Sequence, residues 1–353
     1  MDDRRRRFLD DLLSQATPSG FETPGQRAWI DYVAAFAHET RVDDYGNAVA
    51  VYEGNDDTPE VAVAGHADEI GLMIRDVTDD GFLALSRIGG SDKTVTRGQH
   101  VTVHTADGPL EGVIGQVAVH LRDGDDEPDA INEQYVDIGA AGGETARELV
   151  DIGDPITFDT DVHDLEGSLV SARGMDNRVG VWTAAEAFRR AVESEPEATV
   201  YAVSTVQEEL GLRGARMVGF DLNPDVAIAA DVTHATDTPG APASKGSGIE
   251  LGEGPVVARG SANHPTLVDA ARTVAGEGGP EIQLQASGSY TGTDADAFYT
   301  SRGGIPSLNV GLPNRYMHTP VEVIDLGDLD AAADLLSEIV IRAGEFAPFG
   351  VEL

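Results

Sequence analysis

Apolar runs of strand length alternate with helix-length periodic stretches over most of this chain, and that alternation restricts it to a mainly parallel or mixed sheet covered by helices. Residues 2–16 and 23–39 carry apolar positions at helical spacing, among them Phe8, Leu12 and Leu13. The loop between them, Thr17-Pro18-Ser19-Gly20, is expected to cap the second helix. Strands are expected at 48–52 and 60–64, the second a short apolar run of the kind found in buried parallel strands. From Leu72 to Asp164 the texture changes to short alternating strands, such as 101–104 and 112–115, broken by Gly, Asp and Pro. This segment reads as a small inserted β domain, 72–165, which splits the main α/β domain into 1–71 and 166–353. Beyond it, a helix over 178–192, strands at 199–206, 226–230 and 307–310, and helices near Thr266, Asp294 and Leu329 resume the alternation.

The chemistry-bearing residues fall at particular places in that pattern. His66 stands at the end of one expected strand, Glu208 and Glu209 at the end of a second and Asp231 at the end of a third; His318 follows a fourth by a short loop. Sites in open α/β sheets form outside the carboxyl ends of the strands. Asp176 joins them from the loop just before the helix that begins near Arg178. Each residue taken alone has a structural reading: a hydrogen-bonded core histidine at 66, a helix N-cap at 176, a turn at 231, a solvated pair at 208–209, a surface loop at 318. Their joint placement favours a metal site. The chain contains no cysteine, so disulfides, thiolate metal sites and cysteine nucleophiles are excluded, and any bound metal must use His and carboxylate ligands.

Charge narrows the setting. Asp and Glu number 62 against 24 Lys and Arg, a net charge of −38, which excludes nucleic acid and anionic membranes as default partners. Only Lys93 and Lys245 are lysines. A surface this acidic and lysine-poor suits a cytoplasm at multimolar salt, where the Debye length falls to about 3 Å and like charges stop repelling. The amino terminus has basic residues but no apolar core of an export signal, and no stretch approaches the roughly 18 apolar residues of a membrane span. A cytoplasmic protein of a halophile is expected.

The strings Gly65-His-Ala-Asp-Glu-Ile-Gly71, Ala172-Arg-Gly-Met-Asp-Asn-Arg-Val-Gly180, Thr205-Val-Gln-Glu-Glu-Leu-Gly-Leu-Arg-Gly214, Asp231-Val-Thr-His-Ala and Arg315-Tyr-Met-His-Thr-Pro320 resemble those of the tetrahedral (TET) dinuclear metallo-aminopeptidases. The resemblance runs from Thr17-Pro-Ser-Gly-Phe-Glu22 to Val321-Glu-Val-Ile324, nearly the whole chain. It implies two divalent ions per subunit, zinc, cobalt or manganese. His66 and Asp231 would hold one, Glu209 and His318 the other, and Asp176 would bridge them. Asp68 would orient the His66 imidazole. Glu208 would be the general base, taking a proton from a water whose pKa the metals lower toward about 7 and returning one to the leaving amine. The resemblance further implies peptide substrates with a free amino terminus, a PDZ-like dimerisation domain in the inserted segment, and a hollow homo-dodecamer built from dimers.

Some positions depart from the family's pattern: Ala67 where Met is frequent, Gly174-Met175 before Asp176, Glu253 where a lysine is common and Thr291 where a second glycine is common. None is a ligand, but Glu253 and Thr291 bear on the substrate pocket. Three rival functions remain on the residues alone. A β-glucanase would need paired carboxylates about 5–9.5 Å apart and no metal, leaving the histidines and Asp176 unexplained. A binding protein with a structural metal would need a closed four-ligand site, leaving Glu208 spare. A carboxypeptidase or deacylase would need a cationic group or an acyl pocket.

Overall fold

The computed structural model describes residues 1–55, 57–122, 127–241 and 248–351. Its centre is an eight-stranded sheet in the order Glu39–Val42, Ala48–Tyr52, Thr199–Thr205, Glu60–His66, Val226–His234, Ser307–Asn314, Val256–Gly260, Gln283–Ser287. The four middle strands are mutually parallel. They read as nearly unbroken apolar runs because both faces are covered. Along Glu60–His66, Val61 and Val63 point into the larger core, under the helices Asp3–Ser14, Thr23–Val33, Met175–Glu193 and Leu326–Ile341. Ala62 and Ala64 point into a smaller core with Ala215, Val218 and Phe298, from the helices Arg213–Leu222 and Asp294–Tyr299.

The helix Met175–Glu193 is buried along most of its length. It lies almost against the strand that ends in His66, and two glycines make this possible. A Cβ on Gly65 would sit 2.4 Å from the main chain of Gly180, and one on Gly180 would sit 2.3 Å from the carbonyl oxygen of Ala230. Asn177 extends the same contact by donating to the Ala230 carbonyl at 2.9 Å.

Between the strand Glu60–His66 and the helix Met175–Glu193 the chain forms a closed six-stranded barrel from Gly71–Val77, Leu83–Ile88, Tyr135–Asp137, Gly108–Ile114, Gln99–Thr105 and Pro155–Phe158. The alternation anticipated along 101–104 is seen: Val101 and Val103 face a separate core with Leu72, Ile74, Leu83, Leu85, Ile114, Val136 and Ile156. Closure leaves this sheet no free edge. A third, antiparallel sheet of His163–Asp164, Leu169–Ala172 and Glu322–Asp325 lies beside the main one.

Several expectations need adjustment. The second helix ends at Val33, and Glu39 begins an edge strand, because His38 donates to the Val51 carbonyl at 2.8 Å and draws the chain into the ladder. The Thr17–Gly20 loop does not cap that helix: Glu22 is its N-cap and makes no side-chain cap bond. Asp231 lies within a strand that continues to His234, three residues past it. Among the described residues, no helix is long and apolar enough to cross a membrane.

Candidate metal centre

The parallel register places His66 beside Thr205, the last residue of its neighbouring strand, so the turn after Thr205 delivers Glu208 and Glu209 to the same edge of the sheet. Gln207 in that turn has φ +56°. Asp231 arrives from the next strand, and His318 from the loop after the one beyond. Asp176 comes down from the head of the helix, where Asp176 and Asn177 lie off the helical conformation. All five proposed ligands and Glu208 therefore meet in one place.

Their spacing has an internal order. His66 Nε2 is 3.1 Å from Asp176 Oδ1, 3.6 Å from Asp231 Oδ1 and 3.7 Å from Glu208 Oε2. His318 Nε2 is 3.1 Å from Asp176 Oδ2 and 3.3 Å from Glu209 Oε1. Among the described residues two groups could each hold a cation, His66 with Glu208 and Asp231, and Asp176 with Glu209 and His318. Adjacent ligands on a tetrahedral ion with bonds of about 2.0–2.2 Å stand about 3.3–3.6 Å apart. The nitrogen-to-carboxylate spans fall close to that edge length.

The electrostatics agree with a site built for cations. Burial opposes a charge on His66, yet Glu208 and Asp231 outweigh it and hold the imidazole well above its usual pKa. Hydrogen bonds to Asp176 and Glu209 push His318 up to about 11. Burial would raise Asp176, but its bonds with His318 and His66 keep it below the ordinary carboxylate range. Burial drives Glu208 up to about 10 and raises Asp231 and Glu209 as well. The cluster is short of positive charge and draws protons to supply it, which is the deficit that divalent cations would fill.

Around it lies a buried scaffold. Asp68 reaches the His66 ring through its main chain, with Nδ1 3.0 Å from the Asp68 carbonyl oxygen and 3.4 Å from its carboxylate. The Asp68 carboxylate is otherwise engaged. It accepts from the Glu208 and Glu209 amides at 2.9 and 3.1 Å and from the Ser19 hydroxyl at 2.6 Å. Thr17, from the same loop, donates to the Ala67 carbonyl at 2.8 Å. Glu69, 2% exposed, pairs with Arg173 at 2.5 Å and with Arg178. The barrel also reaches the site: Gly90 packs on the His318 ring and Gly89 on Glu209.

Sequence reasoning missed Glu69, Glu322 and the Gly89-Gly90 pair. Glu322 accepts from the amides of both Asp176 and His318. A signal for it was present, since an acid directly before the apolar pair Val323-Ile324 in a strand calls for a buried partner.

Residues 46–335 match the family of M42 glutamyl aminopeptidases, which makes the chain a peptide hydrolase of the aminopeptidase class. The chain belongs to that family. It is 35% identical to the lysyl aminopeptidase of Pyrococcus furiosus, over 97% of this chain and 99% of that one. Its fold matches an aminopeptidase from the archaeon Desulfurococcus kamchatkensis with a TM-score of 0.91, at 32% identity and 99% coverage of both chains. It also matches the Pyrococcus horikoshii TET1 peptidase, which can assemble into a tetrahedron or a large octahedral shell, with a TM-score of 0.85 at 31% identity, covering 96% of this chain and 99% of that one.

Proposed function

We propose that this chain removes amino-terminal residues from peptides with the help of two divalent ions per subunit, zinc, cobalt or manganese. In this reading His66 and Asp231 would hold one ion, Glu209 and His318 the other, and Asp176 would be the ligand shared by both. The observation that carries it is the division of one carboxylate, with Oδ1 and Oδ2 of Asp176 each 3.1 Å from a different imidazole. When bound, the ions supply an acidified water and polarise the scissile carbonyl. Glu208, with Oε2 3.7 Å from His66 Nε2, lies beside the ligands and is assigned the role of base. It accepts a proton from the attacking water and returns one to the leaving amine. Asp68 is a positioning residue, since it sets the His66 ring through its carbonyl and the two glutamates through their amides. Exhaustive metal removal should abolish aminopeptidase activity on unblocked peptides in concentrated KCl, and divalent ions should restore it. Full activity in a sample shown by elemental analysis to be metal-free would overturn the dinuclear reading.

The same reading assigns 72–165 as a PDZ-like dimerisation domain and extends the tetrahedral assembly of the P. horikoshii relative to this chain, as a dodecamer in a salt-rich cytoplasm. Phe82, Val113, Val117 and Tyr135 support a dimer on the barrel: all are exposed, between 37% and 59%, and they line one surface cavity of about 630 Å³. Subunits of charge −38 repel across contacts at 0.1 M salt, where the Debye length is about 10 Å, and far less above 1 M. Light scattering across a KCl series should show the large particle at multimolar salt breaking into dimers as salt falls, before circular dichroism reports unfolding. A monomer at high salt would contradict this.

A further inference from the structure

The side chain of Glu322 stands between the main chains of Asp176 and His318. Its Oε2 accepts from the Asp176 amide at 2.9 Å and its Oε1 from the His318 amide at 2.8 Å. Glu322 is 2% exposed, so its carboxylate makes these bonds away from bulk water. Its own main chain is equally tied: Glu322 pairs with Ala172 in the small antiparallel sheet, at the start of the loop that carries Asp176. One residue thus fixes the beginning of that loop by a ladder and its functional end by a carboxylate, while also gripping the His318 loop. His318 sits at φ +62°, a conformation that non-glycine residues adopt only when their surroundings impose it.

We infer that Glu322 is a positioning residue, which sets the distance between Asp176 and His318 by accepting both of their amide protons on one rigid carboxylate. The inference rests on the metal-site reading above for its consequence, though not for its geometry. A carboxylate is required because both neighbours are donors. An amide at this position offers one acceptor and one donor, so one of the two N–H groups would face another N–H. The Asp176–His318 contact would loosen, while His66 and Asp231, which do not touch Glu322, would keep their places.

Glu322→Gln, which preserves size, separates this from a general structural role. Stepwise titration of the metal-free protein with Zn²⁺ or Co²⁺ should show two binding steps in the parent chain. In the variant, affinity should fall by about 10–100-fold on the His318 side, the usual effect of losing a ligand's supporting hydrogen bond, and by a smaller factor on the His66 side, which shares only Asp176 with it. Hydrogen exchange read by mass spectrometry on metal-free protein should show faster exchange at peptides containing Asp176 and His318 and unchanged exchange across Glu60–His66. This second measurement holds whether or not the metal reading survives: a parent chain that binds no ion refutes the metal reading alone, and the exchange pattern still decides the role of Glu322. Unaltered exchange at both amides overturns the inference. So does an equal weakening of both ions accompanied by faster exchange throughout the sheet, which would make Glu322 a fold-stabilising residue only.

Discussion

The two imidazoles of the site are supported in opposite ways. His66 ends a central strand, its side chain is 1% exposed, and its Nδ1 is held by the main chain two residues on. Its proposed partner Asp231 lies in the body of the adjacent strand, where ladder pairing to Gly311 fixes it. His318 instead sits on a loop, its side chain 35% exposed, at a left-handed backbone position. Its placement depends on Glu322 beneath its amide and on Gly90 of the barrel against its ring. The difference teaches that one half of the centre is preorganised by the sheet, while the other is assembled from three separate segments and is only as precise as they are.

The largest effect expected concerns Glu208, the proposed base. Glu208→Gln should retain both ions and lose about 100-fold to 10,000-fold in turnover, the usual worth of a positioned acid/base. Glu209→Gln should instead empty the loop-built half first. Elemental analysis beside kcat decides this: an ion lost from the Glu208 variant and none from the Glu209 variant would reverse the two assignments. A smaller effect should follow from the barrel. A Cβ on Gly90 would lie 2.8 Å from Cε1 and Nδ1 of His318, closer than carbon atoms pack, so Gly90→Ala must displace the ring. Affinity for the ion on the His318 side should drop about 10-fold, with the His66 side unaffected in the same titration. Equal affinities in variant and parent would mean that the barrel does not shape the loop-built half.

The contrast also explains what could be read in advance. The central strands are covered on both faces, so their apolar runs are visible as runs, and residues just past such runs can be picked out as site candidates. Val256–Gly260 and Gln283–Ser287 escaped notice because they form the far side of the sheet, where exposed Arg259 and half-exposed Gln283 and Gln285 break the pattern. Asp231 was located by its carboxylate but placed at a strand end, since periodicity does not show how far a strand continues past its last needed residue. Glu322 and Gly89-Gly90 were missed for a different reason. Their importance lies in what they do to another residue's backbone or ring, and that relation exists only after loops distant in sequence are brought together.

The ion pairs of Glu69 with Arg173 and Arg178 have a bearing on the solvent this acidic chain must tolerate. Contacts such as Arg6 to Asp10, with side chains 26% and 42% exposed, are weakened by any dissolved salt that gathers around them. Glu69 and Arg178 have side chains only 3% and 1% exposed, so mobile ions have no room to enter between them. They join the segment just after His66 to the segment just after Asp176. The attraction across this junction should therefore be nearly the same in fresh water and in brine, so the inner frame of the site can ignore a variable to which the outer surface is highly sensitive.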